Sequence, residues 1–190
     1  YPDGTRVTFV YDQVGNRTLM HDNTGRYTAT FDALDRARTV TEAHGKKITY
    51  GFDPVGNRAL MVDPDGGRFS YSWDAVDRIE WLVNPWNERT TFQYDAASRR
   101  TVKKLANGTR ASFTHDAADR LTALYNLKSD GSVISSFDYQ YDPVGNRTRV
   151  VEVNGDRVTW SYDKTYQLTA ERRSGASEYV HTFVYDPVGN

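Results

Sequence analysis

Apolar and polar residues alternate in a strict rhythm along this chain, and the rhythm restarts about every 21 residues. Ile48, Tyr50 and Phe52 alternate with Lys47, Thr49 and Gly51; Phe69, Tyr71 and Trp73 alternate with Arg68, Ser70 and Ser72. Val158, Trp160 and Tyr162 do the same with Arg157, Thr159 and Ser161. A period of two predicts half-buried β-strands with one ring-bearing face and one Arg/Thr face. No helical period competes with it.

Each such strand ends in an aromatic followed by Asp. The pairs are Tyr11-Asp12, Phe31-Asp32, Phe52-Asp53, Trp73-Asp74, Tyr94-Asp95, His115-Asp116, Tyr141-Asp142, Tyr162-Asp163 and Tyr185-Asp186, with His115 the one member that is not a benzenoid ring. Self-similarity at fixed spacing is the signature of a repeat array. A turn follows at once. In Asp53-Pro54-Val55-Gly56-Asn57 the Asp bonds forward to the backbone, Pro presets φ for a type I turn, and Gly takes the left-handed position. Asp142 to Asn146, including Gly145, repeats this, and Gly15-Asn16 and Gly189 mark related turns. Asp35, Asp77 and Asp119 replace the Gly elsewhere; Ser98 and Tyr166 suit that position less well, so those two turns are expected to differ. A second strand and a second turn, such as Asn107-Gly108 or Asn154-Gly155, complete each unit.

A longer beat overlies this one. The sixth residue after the aromatic reads Arg17, Ala37, Arg58, Ile79, Arg100, Leu121, Arg147, Leu168, so odd and even repeats differ and the full period is a pair of hairpins. One expectation is a charge ladder in which these Arg residues lie beside the Asp of the neighbouring turn. The whole chain, 1–190, reads as a single array of about nine hairpins. Its largest spacing, between His115 and Tyr141, predicts a longer loop near 122–136. Eighteen strands at about 4.8 Å each give a sheet of order 80 Å. Strongly twisted open sheets seldom exceed about ten strands without curling, so the fold class is all-β: tandem antiparallel hairpins in a long, curled sheet.

Composition agrees with strands and turns. There are 18 Arg against 6 Lys and 19 Asp against 6 Glu, with aromatics at 13% and mean hydropathy −0.71. The net charge of −1 gives no electrostatic reason to expect nucleic acid or an acidic membrane. Cysteine is absent, and no stretch approaches the ~18 apolar residues of a helical membrane span. The chain starts at Tyr1 and stops at Asn190 inside its own motif, which reads as a fragment of a longer protein.

Candidate chemistry is sparse. The Asp of each pair recurs nine times at a turn start, where it caps backbone rather than acting as half of a catalytic carboxylate pair. His115 reads as a flat ring in the aromatic row, and no histidine has metal-ligand spacing. Asp63-Pro64-Asp65-Gly66 lacks the alternating oxygens and distant Glu of a calcium loop and reads as a turn. No catalytic residue, metal or cofactor is therefore assigned. Exposed Trp81, Trp86 or Tyr rings suit carbohydrate contact better than nucleic acid, since the alternation puts rings and basic residues on opposite faces.

The run Tyr141-Asp142-Pro143-Val144-Gly145-Asn146-Arg147-Thr148, nearly repeated at 11–18 and 52–58, resembles the YD repeat of Rhs proteins, toxin-complex shell components and teneurins. The resemblance covers essentially the whole chain. It implies a β-sheet shell around a hollow interior, which in bacterial Rhs and toxin-complex proteins encloses a C-terminal toxin. The family's self-cleaving region and variable toxin lie beyond the repeats and are not found in these residues. The implied function is a non-catalytic wall segment of a secreted or cell-surface bacterial protein. Its partners are then the rest of its shell and an enclosed C-terminal toxin. Alternatives are an adhesion or carbohydrate-binding module, and a fibre that self-associates through open sheet edges.

Overall fold

The computed structural model describes residues 6–186, 188 and 189. The expectation that the chain ends in mid-repeat concerns Tyr1 and Asn190, which lie outside the described residues. Contacts group the chain into two units, Tyr1–Thr90 and Thr91–Asn190.

The first unit holds β1 (Thr8–Tyr11), β2 (Arg17–Asp22), β3 (Gly25–Phe31), β4 (Ala37–Thr41), β5 (Lys47–Phe52), β6 (Arg58–Val62), β7 (Arg68–Trp73) and β8 (Ile79–Val83). Each strand pairs antiparallel with the next, which makes a plain meander. The division between units falls inside β9 (Arg89–Tyr94), whose residues Thr91–Tyr94 pair with β10 (Arg100–Lys104). The second unit continues with β11 (Arg110–His115), β12 (Leu121–Leu127), β13 (Val133–Tyr141), β14 (Arg147–Glu152), β15 (Arg157–Tyr162), β16 (Leu168–Ser174) and β17 (Tyr179–Thr182). Its strands also pair in sequence, all antiparallel. The expected fold class, all-β hairpins in tandem, is the one observed.

Two sequence expectations are corrected. There is no long loop near 122–136. The extra residues instead lengthen β12 and β13 to 7 and 9 residues, and a five-residue turn, Lys128–Ser132, joins them. Alternation through Leu124, Tyr125 and Asn126 continues far enough to find partners in Phe137, Ser136 and Ser135, so pairing outcompetes looping. The turns at Ser98 and Tyr166 do not differ from the others either. Both residues take left-handed backbone (φ 65° and 67°), and their N–H groups donate to the carbonyls of Asp95 and Asp163 as Gly does elsewhere. Several hydrogen bonds per turn fix the geometry, and they outweigh a strain of order 1 kcal/mol for one such residue.

Neither unit closes over a filled core. Val150 and Val158, paired on β14 and β15, are the buried hydrophobics among the described residues. The chain exposes 12806 Å², whereas a compact monomer of its mass would expose about 9,200 Å². Its ring-bearing face is therefore only half buried.

Candidate functional site: the aspartate turns and the ring-bearing face

Every described aromatic–Asp turn uses its carboxylate in the same way. In the turn after β1, the Asp12 N–H donates to the Asn16 carbonyl (2.9 Å) and the Gly15 N–H donates to the Asp12 carbonyl (3.3 Å). One carboxylate oxygen, Oδ1, accepts from the N–H groups of Val14 and Asn16 at 3.1 and 2.8 Å. The other, Oδ2, accepts from the Asn16 side chain at 3.1 Å. Where Arg replaces Asn, its Nε takes that role at 2.7 Å, as in Arg36–Asp32, Arg78–Asp74, Arg99–Asp95 and Arg120–Asp116. Asp53, Asp142 and Asp163 cap their turns through the same backbone donors.

These donors favour the charged form. The Arg120 side chain, then its backbone N–H, hold the Asp116 carboxyl below the usual carboxylate range. The Arg99 backbone N–H does the same for Asp95. At Asp12 partial desolvation pushes upward, but the Asn16 donors together with Val14 and Gly15 outweigh it. The Asp residues are thus turn staples with a committed hydrogen-bond shell.

A ladder does link successive turns, through different residues from those expected. At Asn16, Arg36, Asn57, Arg99 and Arg120 it is the fifth residue after the aromatic, not the sixth, that reaches the neighbour. Asn16 donates to Asp35 Oδ1 (2.8 Å), Asn57 to Asp77 Oδ1 (2.6 Å), and Arg99 to Asp119 Oδ1 (2.9 Å). Arg36, Arg99 and Arg120 also donate to the backbone carbonyls of Asp53, Asp116 and Asp142. The sixth residue turns onto the ring face instead. Arg17, Arg58, Arg100 and Arg147 lie over the rings of Phe9, Tyr50, Phe92 and Tyr139 at 5.0–5.7 Å. The expectation that rings and basic residues occupy opposite faces therefore fails for these turn-derived Arg residues, and also for Arg89, which lies over the Trp81 ring at 4.8 Å.

The reason is a bulge that sequence reading missed. In all eight aromatic–Asp hairpins whose two strands are described, the register shifts at the aromatic, which opposes the sixth residue, while the seventh is the extra one. The shift brings the sixth side chain to the ring face and bends the strand. It also leaves that residue's carbonyl to a partner from the next hairpin: Trp73 Nε1 to Arg58 (2.9 Å), and the hydroxyls of Tyr141, Tyr162 and Tyr185 to Leu121, Arg147 and Leu168 (each 2.8 Å). This is a physical reason for Tyr over Phe at the motif. Phe31 and Phe52 have no hydroxyl to give, and His115 keeps Nδ1 buried without a partner. The second-strand and second-turn residues add one ionic cluster on the ring face of the second unit. Arg173 pairs with Glu152 at 2.7 Å and with Asp156 at 2.8 Å.

Among the described residues no group of three or more His, Cys, Asp or Glu is placed to hold a metal ion, and no helix is long and apolar enough to cross a membrane.

Comparison with known proteins agrees with this geometry. The family model described as RHS Repeat matches residues 31–68 and 141–178. No curated protein matches the chain. Among solved structures, the complex TcdB2-TccC3-Cdc42 is 16% identical with a TM-score of 0.73, covering 88% of this chain and 10% of that one. TcdB2-TccC3 gives the same coverage and identity with a TM-score of 0.72. The Photorhabdus luminescens Tc holotoxin pore is 13% identical with a TM-score of 0.64, over 93% of this chain and 13% of that one. The chain thus spans about a tenth of the length of the structures it matches, and at such identities the likeness is one of fold. Residues 31–68 and 141–178 thus match the RHS Repeat model in phase with the aromatic–Asp motif, and the chain shares its hairpin fold with these toxin-complex structures.

Proposed function

We propose that the chain is a non-catalytic wall segment of a YD-repeat shell, in a secreted or cell-surface bacterial protein, which encloses a C-terminal toxin or another polypeptide until delivery. The observation that carries this reading is the half-buried ring face, held open by turns that are stapled to one another along the repeat. A face of Tyr, Phe and Trp that its own chain does not cover suits a wall with something beside it. The fold shared with toxin-complex chains supports the same reading.

The test is limited proteolysis of the full-length protein. A shell protects the segment C-terminal to the repeats, and replacing several turn aspartates together, such as Asp32, Asp53, Asp74 and Asp95 by Ala, exposes it. Equal cleavage of that segment in the intact and turn-disrupted proteins would overturn containment.

A further inference from the structure

The same pocket occurs in both units. In the first, the rings of Phe52, Tyr71 and Trp73 surround a space of about 440 Å³ with Arg58 and Ile79 at its edge. In the second, Tyr141, Trp160 and Tyr162 surround about 430 Å³ with Arg147 and Leu168. Each residue of the second lies 89 positions after its counterpart in the first, so the two sets occupy equivalent places in the repeat. Each follows an intact Pro-Val-Gly-Asn-Arg turn, and the bulge described above delivers its arginine.

We propose that these two pockets bind an apolar or aromatic side chain of a polypeptide that carries a carboxylate next to it. This rests on the reading of the chain as a wall facing a polypeptide, and it names the chemistry of that contact. The rings supply a surface for an apolar group. The arginine supplies the charge. Arg58 stacks over Tyr50 at 5.0 Å, and Arg147 over Tyr139 and Trp160 at 5.2 and 5.3 Å. Neither guanidinium has a carboxylate partner among the described residues, whereas Arg36, Arg99 and Arg120 each have one. A ring-braced guanidinium with open donors is a fork for a carboxylate.

The neighbouring donors are already used. Trp73 and Tyr162 donate to the carbonyls of Arg58 and Arg147, Asn57 donates to Asp77, and Asn146 donates to Asp142. A neutral sugar needs several convergent polar groups beside its stacking ring. With these committed, an acidic and apolar peptide fits better than a neutral glycan.

The indole N–H signals of the ¹⁵N-labelled 190-residue chain give the test, because its four Trp residues divide cleanly. Trp73 and Trp160 line the pockets; Trp81 and Trp86 do not. Titration with the blocked peptide acetyl-Glu-Phe-Glu-amide is expected to move the Trp73 and Trp160 signals and leave Trp86 in place. Acetyl-Gln-Phe-Gln-amide should bind about tenfold more weakly, for loss of the charged pair. Arg58→Gln should weaken the response at Trp73 alone, and Arg147→Gln at Trp160 alone. The unaffected pocket in each variant reports that the chain is still folded. Unmoved pocket signals, responses that ignore both arginine variants, or movement with maltohexaose but not with the peptide would each overturn the proposal. None of these would bear on the proteolysis result, so a shell without these pockets is told apart from no shell.

Discussion

The ring face of the first unit and that of β13–β17 share a backbone plan and differ in what lies across it. In the first unit, cross-strand neighbours are apolar: Tyr50 opposite Met61, Met61 opposite Phe69, and Tyr71 opposite Leu82. In the second, Phe137 faces Glu152, Val158 faces Arg173 and Trp160 faces Glu171. Glu171 accepts from Trp160 Nε1 (2.9 Å) and from the Tyr179 hydroxyl (2.5 Å), and Tyr179 stacks on His181 at 4.7 Å. An apolar row is non-directional and leaves register to the stapled turns and their bulges. A row of forked ion pairs and hydrogen bonds admits one register, at the expense of desolvation. The same hairpin thus carries either a permissive or a specifying surface.

The largest expected effect comes from Gly175→Ala, which attacks the specifying side. Gly175 has φ +124°, and an added Cβ would run into the Asp156 carboxylate. That carboxylate also accepts the Ala176 N–H at 3.0 Å. A loss of about 2–4 kcal/mol is expected, read as a lower Tm in thermal unfolding. Gly15→Ala, at φ +97° with open space around it, should lose less.

Next is Arg173→Met. It leaves Glu152 and Asp156 without their shared cation, and it should lower Tm at pH 7. The hydrogen bonds from Arg173 hold the Glu152 carboxyl below its ordinary range; for Asp156 the Ala176 N–H acts first, and Arg173 adds to it. A depressed carboxylate contributes stability that is present above its unfolded pKa, near 4, and is lost as pH falls through the folded value. The Tm difference between wild type and variant should therefore be full at pH 6–7 and shrink below about pH 4. A difference independent of pH would count against the ionic account.

The smallest effects probe what the two units share. Tyr162→Phe strips a partner from the Arg147 carbonyl and should cost about 1 kcal/mol. Phe52→Tyr offers the equivalent carbonyl, that of Ala37, a hydroxyl it lacks; a gain of about 0.5 kcal/mol is expected from denaturant unfolding. Equal and opposite shifts would make the aromatic position interchangeable between units.

Much of this was legible in the sequence because strands and turns speak a local code. Alternation located the strands, and Asp with Gly or Pro located the turns. What stayed hidden depends on partners. The bulge is invisible in a hydrophobic pattern, so the sixth-residue arginines were read as ladder members when they are ring covers. Asn16 and Asn57, read as turn residues, proved to be the links between turns. The 26-residue spacing from His115 to Tyr141 suggests a loop because length alone does not say whether extra residues find strand partners. Glu152, Asp156 and Arg173 are unremarkable until β14, β15 and β16 bring them together.

The carbonyl that each bulge leaves for the following hairpin has a consequence for how the array locks. A hairpin can form its own turn from its own Asp, but the bulge carbonyls of Arg58, Leu121, Arg147 and Leu168 are closed only by the Trp or Tyr of the next hairpin. The array is thus a zip in which some teeth are locked by the one behind, while the teeth before Phe31 and Phe52 are left without that lock.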